Sequence, residues 1–363
     1  MAKLLLAGYL GCGNLGDDAI LAGFLEGIGN RPYEVSLLSG DPDETYRQYK
    51  VMGTPRKDRG AIAKAIADCD ALVFPGGSIF QDSTSWRSVL YYSWLVKSAK
   101  SAGKRVVMLG QGVGPLKGTC AKRWARQAFE AADAIAVRDP GSFQTLKGLG
   151  IQKSVPVTAD LAFLLPPPLQ DSASTEGFNV GSMRTVGIAA RPLGKGPEIA
   201  DLFAEFARIL FAQNHMPVLI EMDRNEDGPL IQEINKRNGG KVPDLRKLGR
   251  PQQVQTRIAR MDAVVAVRLH AGILASTVGV PPFMVSYDPK VAAFARLMDL
   301  PSLPVEGLTA TRLYEGFKEF MGRRDAVVVA MEKRRAEQAA LAAQNFDLLD
   351  RVLGTKTPAP SGV

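Results

Sequence analysis

Short apolar runs alternate with amphipathic stretches from the first residues onward. Residues 3–9 (KLLLAGY), built on the apolar run 4–7, predict a parallel strand buried on both faces. A glycine loop follows, and then a helical pattern over 17–27. The runs 33–38, 71–74, 105–109, 134–137 and 154–158 predict further strands, with helices over 58–68, 86–102, 121–131 and 140–148 between most of them. Such alternation predicts βαβ units and a mainly parallel sheet.

The texture breaks at 164–180 (LLPPPLQDSASTEGFNV), where consecutive prolines and small polar residues predict a linker. Alternation then restarts, with strands over 185–190, 217–221, 263–267 and 282–286 and helices over 198–212, 226–237, 251–260 and 270–278. Residues 325–353 hold neither Pro nor Gly and predict one long helix. The expected organisation is a Rossmann-like domain over 1–163, a Pro-rich linker over 164–182, a second Rossmann-like domain over 183–322, a long helix over 323–353 and a flexible tail over 354–363. The fold class is α/β, with two Rossmann-like domains facing across a cleft and ligands beyond the carboxyl ends of the strands.

Composition agrees with a globular chain. Of 363 residues, 46% are apolar and 23% charged, so a large core is available and wholesale disorder is excluded. The formal net charge is +8, but Lys and Arg are scattered along the chain, so nucleic acid is not an expected partner. A positive field suits an anionic small molecule, or peripheral contact with an anionic membrane surface. Cys12, Cys69 and Cys120 are odd in number and widely spaced. They form neither a disulfide framework nor a metal-ligand pattern, which points to a reducing, cytoplasmic setting and no metal. The run 4–7 is too short for a signal peptide, and no stretch approaches the roughly 20 apolar residues of a membrane span.

Candidate chemistry collects where strands end. In GYLGCGNLGDDAIL (8–21), Gly11, Gly13 and Gly16 read G-x-G-x-x-G between a strand and a helix, a loop able to present backbone N–H groups to an anion. Asp17 and Asp18 oppose a pyrophosphate there, so a ligand-contacting loop (with Asn14) and a plain tight turn both stand. In FPGGSIFQD (74–82), Gly76 and Gly77 permit close backbone approach, and Asp82 can orient or deprotonate a hydroxyl or else cap a turn. GQGVGPL (110–116), with Gln111, repeats the design. Arg138 ends the run AIAV, where its planar fork can hold a carboxylate or phosphate or pair with Asp139. The densest signal is 263–290, where one strand ends in Arg268-Leu269-His270 and the next in Tyr287-Asp288-Pro289-Lys290. Adjacent strands lie about 5 Å apart, so these groups can converge. The chain has two histidines. His215, in a helix-to-strand loop, is expected at the surface, which leaves His270 as the candidate proton carrier.

The ordered set G-x-G-N-x-G-D, G-G-S-x-F-Q-D, G-Q-G-V-G-P-L, V-R-D-x-x-S, R-L-H and D-P-K resembles the polysaccharide pyruvyl transferases of the CsaB type over residues 8–290. The resemblance implies a GT-B-like fold whose C-terminal helix returns towards the first domain. It implies transfer of pyruvyl from phosphoenolpyruvate, the co-substrate, to two hydroxyls of a sugar, forming a ketal and releasing phosphate without a cofactor. In members that modify secondary cell-wall polymers the acceptor is N-acetylmannosamine on a lipid-linked precursor, and the ketals help anchor S-layer proteins. The carry-over makes His270 catalytic and Arg138 and Lys290 donor-binding residues, and Arg268 is a third cation available to the donor. Gly13, Asn14, Asp17, Gly76, Gly77, Asp82 and Gln111 are then acceptor or cleft-loop residues on the N-terminal side. Cys12 and Pro281-Pro282 depart from the family pattern; neither is a proposed catalytic group, but Cys12 lies in the first glycine loop. Two other readings of the same architecture are a nucleotide-sugar glycosyltransferase and a non-catalytic sugar- or phosphate-binding protein.

Overall fold

The structure, a computed structural model, describes residues 1–83, 85–166, 168, 183–194 and 198–355. The chain forms two compact units, one of Met1–Cys12, Ile20–Leu165 and Gln338–Val363, the other of Gly13–Ala19 and Pro166–Glu337. Most of the expected linker, and the tail from 356 onward, lie outside the described residues.

The first unit holds a parallel sheet of β1 (Ala2–Leu6), β2 (Tyr33–Ser39), β3 (Met52–Pro55), β4 (Ala71–Phe74), β5 (Gly77–Phe80), β6 (Arg105–Val113) and β7 (Ala134–Val137). Its order runs β3-β2-β1-β4-β6, with β5 and β7 both paired to β6. β4 and β5 continue each other along one edge of β6, because Ala71 pairs with Arg105 and Gly77 with Gln111 in the same offset. Pro75, which has no N–H to donate, interrupts them. β4 and β7 are buried at every position, the burial that an uninterrupted apolar run predicts for a parallel strand covered on both faces. The second unit holds β8 (Arg184–Ala189), β9 (His215–Ile220), β10 (Asp244–Leu245), β11 (Ala263–Ala266), β12 (Pro282–Ser286) and β13 (Ser302–Pro304), in the order β10-β9-β8-β11-β12-β13. The strand order turns back between β1 and β4 in one sheet and between β8 and β11 in the other. Ligands of doubly wound sheets bind outside the carboxyl ends at such points.

Three helices start from the same dipeptide. Asp41-Pro42, Asp139-Pro140 and Asp288-Pro289 each follow a strand, with Asp as N-cap and Pro at the first helical positions. The carboxylates accept from the backbone N–H of Glu44, Ser142 and Lys290, satisfying donors that the helix cannot. Proline there loses nothing, since its missing N–H would have no helical partner.

The structure departs from the pattern-based expectations in several places. Residues 110–113, expected as a glycine loop, extend β6, and Gly110 at φ 51° takes up a register shift between Met108 and Gln111. Residues 154–158 are not a strand; Val157 makes one isolated bridge to Val137. The short strands β3, β10 and β13 and the helices Pro42–Tyr49, Pro289–Leu297 and Ala310–Gly322 were not expected. The long helix spans Arg324–Leu353, and its residues from Gln338 belong to the first unit. There Asp350 accepts from Arg31 Nε at 2.9 Å and from the Tyr33 hydroxyl at 2.5 Å, while Thr158 and Asn345 bond at 3.0 Å. No helix among the described residues is long and apolar enough to cross a membrane.

His215 is half-buried at the start of β9 rather than on the surface, its ring edge-on to Phe317 at 6.1 Å. Burial pushes its imidazole below the ordinary 6.5, against a backbone hydrogen bond that raises it. A base whose folded value is depressed takes up protons more readily when unfolded. Its contribution is therefore constant above about pH 6.5 and declines as pH falls from there towards the folded value. The melting temperature should drop on acidification from pH 7.5 to 5.5, and His215→Phe should flatten that slope. An identical slope in the variant would show that His215 carries none of it.

Candidate functional site

In the second unit, β11 runs out into Val267 and Arg268, and the helix Leu269–Thr277 begins at once with Arg268 as its N-cap. His270 therefore sits in the first helical turn at the carboxyl edge of the sheet. Its ring lies against the backbone of Gly16, where an added Cβ would be 2.6 Å from the imidazole Cγ and closer still to Nδ1. Only glycine admits the ring at that distance.

Gly16 is held by the second unit although it follows a strand of the first sheet. Asn14 and Asp223 form an antiparallel bridge, Leu15 N donates to Met222 O at 2.8 Å, and Arg224 N donates to Gly13 O at 2.9 Å. The Asn14 side chain ties both ends of the loop. Its Nδ2 donates to Asp223 at 3.0 Å, and its Oδ1 accepts from Gly16 N at 2.9 Å and Asp17 N at 3.3 Å. Gly13 turns the chain at φ 84°. Gly13, Asn14 and Asp17 were expected on the N-terminal side, and the structure groups them with the unit that carries His270.

Arg268 is buried and holds two carboxylates, Glu226 at 2.8 Å and Asp227 in a still closer contact. Asp227 is fully buried and also accepts from the N–H of Met222 at 3.0 Å and Asp223 at 2.9 Å. Burial pushes its carboxyl up from the ordinary range, and Arg268 with the two N–H donors pulls against that. Arg268 is thus matched in charge within its own unit and braces the segment that carries the Asn14 bridge. Lys290 is freer. Its ammonium stands 3.9 Å from Asp288, with 28% of its side chain exposed.

Sequence reasoning missed Arg191. It follows β8, next to β11 in the sheet, and stacks on the Tyr287 ring at 5.0 Å while donating to the Tyr287 hydroxyl. It also stands 3.6 Å from Glu226, and its Nε is buried without a hydrogen-bond partner. The strand-terminal pattern TVGIAAR repeats the AIAVR signal that singled out Arg138 and could have found it. Residues following β8, β11 and β12 thus bring Arg191, Arg268, His270, Tyr287 and Lys290 to one edge of one sheet.

In the first unit Arg138 is buried, donating to Asp160 at 2.6 Å and to Ser78 Oγ at 2.8 Å. Glycine at 112 makes room for this pair, because a Cβ there would lie 2.7 Å from Ser78 Oγ and 2.9 Å from Arg138 Nη2 and would push one of them aside. Asp139 is 3.7 Å from Arg138 Nε and serves mainly as the helix cap. Gln111 is fully buried, its amide donating to Phe74 O and Leu109 O, and its Oε1 has no partner. Gly76 and Gly77 take φ of 141° and 89°, which lets the chain pass from β4 to β5. Asp82 staples a loop: it accepts from Lys117 N at 2.9 Å and Gly118 N at 2.6 Å.

The family described as polysaccharide pyruvyl transferase matches residues 14–289, more than half of the chain. Among solved structures, one described as a UDP-N-acetylglucosamine 2-epimerase from Listeria monocytogenes aligns over 100% of both chains with a TM-score of 0.70 and 12% identity. UDP-GlcNAc 2-epimerase from Neisseria meningitidis, bound to UDP-GlcNAc, covers 98% of this chain and 100% of its own at TM-score 0.61 and 10% identity. A glycosyltransferase from Rickettsia africae covers 98% and 99% at 0.61 and 11%. At such identities the likeness is one of fold, the two Rossmann-like units of GT-B enzymes.

Proposed function

We propose that this chain, which belongs to the polysaccharide pyruvyl transferase family, moves the pyruvyl group of phosphoenolpyruvate onto two hydroxyls of a sugar, forming a ketal and releasing phosphate. The observation that carries the reading is His270, seated on Gly16 at the sheet edge that also presents Arg191 and Lys290. Phosphoenolpyruvate carries a carboxylate and a phosphate, and binding it calls for cations that a ligand can reach. Lys290, with 28% of its side chain exposed, meets that condition better than Arg268, which is buried on Glu226 and Asp227. Arg138, although paired with Asp160, is the donor-site arginine of the family pattern in the first unit.

In the proposed reaction a sugar hydroxyl adds to C2 of the donor as its C3 methylene takes a proton. Phosphate leaves, and the second hydroxyl closes the ketal, its proton departing with the phosphate. His270 accepts the hydroxyl proton and returns one to the donor, the two roles that a single imidazole can alternate between. The family resemblance makes an N-acetylmannosamine unit of a lipid-linked cell-wall precursor the proposed acceptor.

Phosphate release that requires both phosphoenolpyruvate and a sugar, with the ketal identified by NMR, tests the reading. Binding of UDP-sugars with no response to phosphoenolpyruvate would replace it with a nucleotide-sugar enzyme. Lys290→Ala should weaken phosphoenolpyruvate affinity about 10- to 150-fold, the loss of one charged hydrogen bond, and leave the melting temperature unchanged. Unaltered affinity in calorimetry would remove Lys290 from the donor site.

A further inference from the structure

The basic residues are scattered along the chain, but the acidic ones are not. Between Asp82 and Glu130 there is no Asp or Glu, while this stretch carries nine Lys or Arg and all three tryptophans of the protein. It builds two neighbouring helices, Trp86–Ser101 and Thr119–Ala131.

The first helix buries Val89, Tyr92, Leu95, Val96 and Ala99 against the sheet. At 100° per residue the opposite side carries Trp86, Arg87, Leu90, Trp94 and Lys97. Trp86 is 52% exposed and Leu90 39%, and Arg87 and Lys97 are also exposed. The Arg87 guanidinium stands over the Trp86 ring at 5.9 Å. Trp86 also packs on Trp124 of the second helix at 5.8 Å, which joins the outer sides of both helices, and the adjacent Arg123 is exposed. Among the described residues no acid pairs with Arg87, Lys97 or Arg123. The acids that flank the stretch in sequence are engaged: Asp82 accepts from Lys117 N and Gly118 N, and Glu130 pairs with Arg126.

We propose that this outer face docks on an anionic phospholipid surface. Indole rings settle at the headgroup level of a bilayer, Leu90 supplies apolar area beneath it, and unpaired Arg and Lys beside them are attracted to acidic headgroups. The charge complementarity is one-sided, because the face holds cations and no anion. Paired with exposed Trp and Leu on one helix stripe, it fits a lipid interface better than the phosphate lattice of a nucleic acid.

Sedimentation of the full chain with vesicles tests this without any substrate, so its result stands apart from the phosphate-release assay. The protein should pellet with phosphatidylcholine vesicles that contain phosphatidylglycerol and not with pure phosphatidylcholine, and added salt should release it. Arg87→Gln with Arg123→Gln should weaken the partition about 25-fold, at roughly fivefold per cation. Trp86→Ala with Leu90→Ala should weaken it about tenfold. Both pairs are on exposed positions, and unchanged melting temperatures confirm that the fold persists. The proposal is overturned if the wild type stays in the supernatant, if neutral vesicles hold it equally, or if both double variants bind like wild type. Retention on single-stranded RNA at a salt concentration that releases the vesicles would likewise overturn it in favour of a nucleic-acid surface.

Discussion

His270→Ala is expected to lower acceptor-dependent phosphate release from phosphoenolpyruvate by about 10²–10⁴-fold, the usual contribution of a positioned acid–base group. His270 opens a helix directly beyond β11, and its ring rests on the Gly16 backbone. The same substitution at His215, whose ring faces Phe317 at the start of β9, should leave turnover within a few-fold of wild type. Gly16→Ala supplies an independent check, because the added methyl occupies the place of the imidazole and must displace it. Turnover should then fall while phosphoenolpyruvate affinity, proposed to rest on Lys290, changes little. A folded His270→Ala protein that keeps near wild-type turnover would make this histidine structural.

Asp227→Asn is expected to destabilise the protein by about 3–5 kcal/mol, the cost of leaving a buried charge without its partner. Arg268 would then keep Glu226, whose side chain is 44% exposed and whose attraction water screens, and a weaker attraction from Asp223. The carboxamide keeps the shape of Asp227 and can still accept from Met222 N and Asp223 N, so the loss reports charge rather than packing. Adding Arg268→Met to Asp227→Asn should recover much of the loss, since the unpaired cation is then gone. Glu226→Gln should cost far less, as befits a half-exposed partner. Urea unfolding of the four proteins measures all of this, and a cost below about 1 kcal/mol for Asp227→Asn would mean that Arg268 finds another anion or water.

The elements that the sequence determined by itself are those encoded by neighbouring residues. Apolar runs such as ALVF and AIAV specified parallel strands because a strand covered on both faces must be apolar throughout. The helix expected over 140–148 starts at Asp139-Pro140, and the Asp-Pro pairs at 41 and 288 encode two more starts that the apolar periodicity did not reveal, because capping needs only a carboxylate and the next few N–H groups. The placement of His270 directly after a strand followed from the same local grammar. Tertiary structure decided what no local pattern records. Asn14 bridges to Asp223 across 209 residues and draws Gly13–Ala19 into the second unit, against the expectation from chain order. Glycines 110 and 112 read locally as a loop, but they belong to a strand. A Cβ would meet Ala159 O at 2.8 Å at the first and the Ser78–Arg138 pair at the second, so their smallness answers to distant atoms rather than to a turn. Arg268 and Lys290 look alike in sequence, both cations at strand ends. They differ in burial, because Asp227, buried 41 residues upstream, reaches Arg268 and leaves its side chain 10% exposed, while that of Lys290 is 28% exposed beside Asp288. Backbone form is set by short-range sterics and hydrogen bonding, whereas the working charge of a side chain is set by whichever groups folding brings within a few ångströms of it.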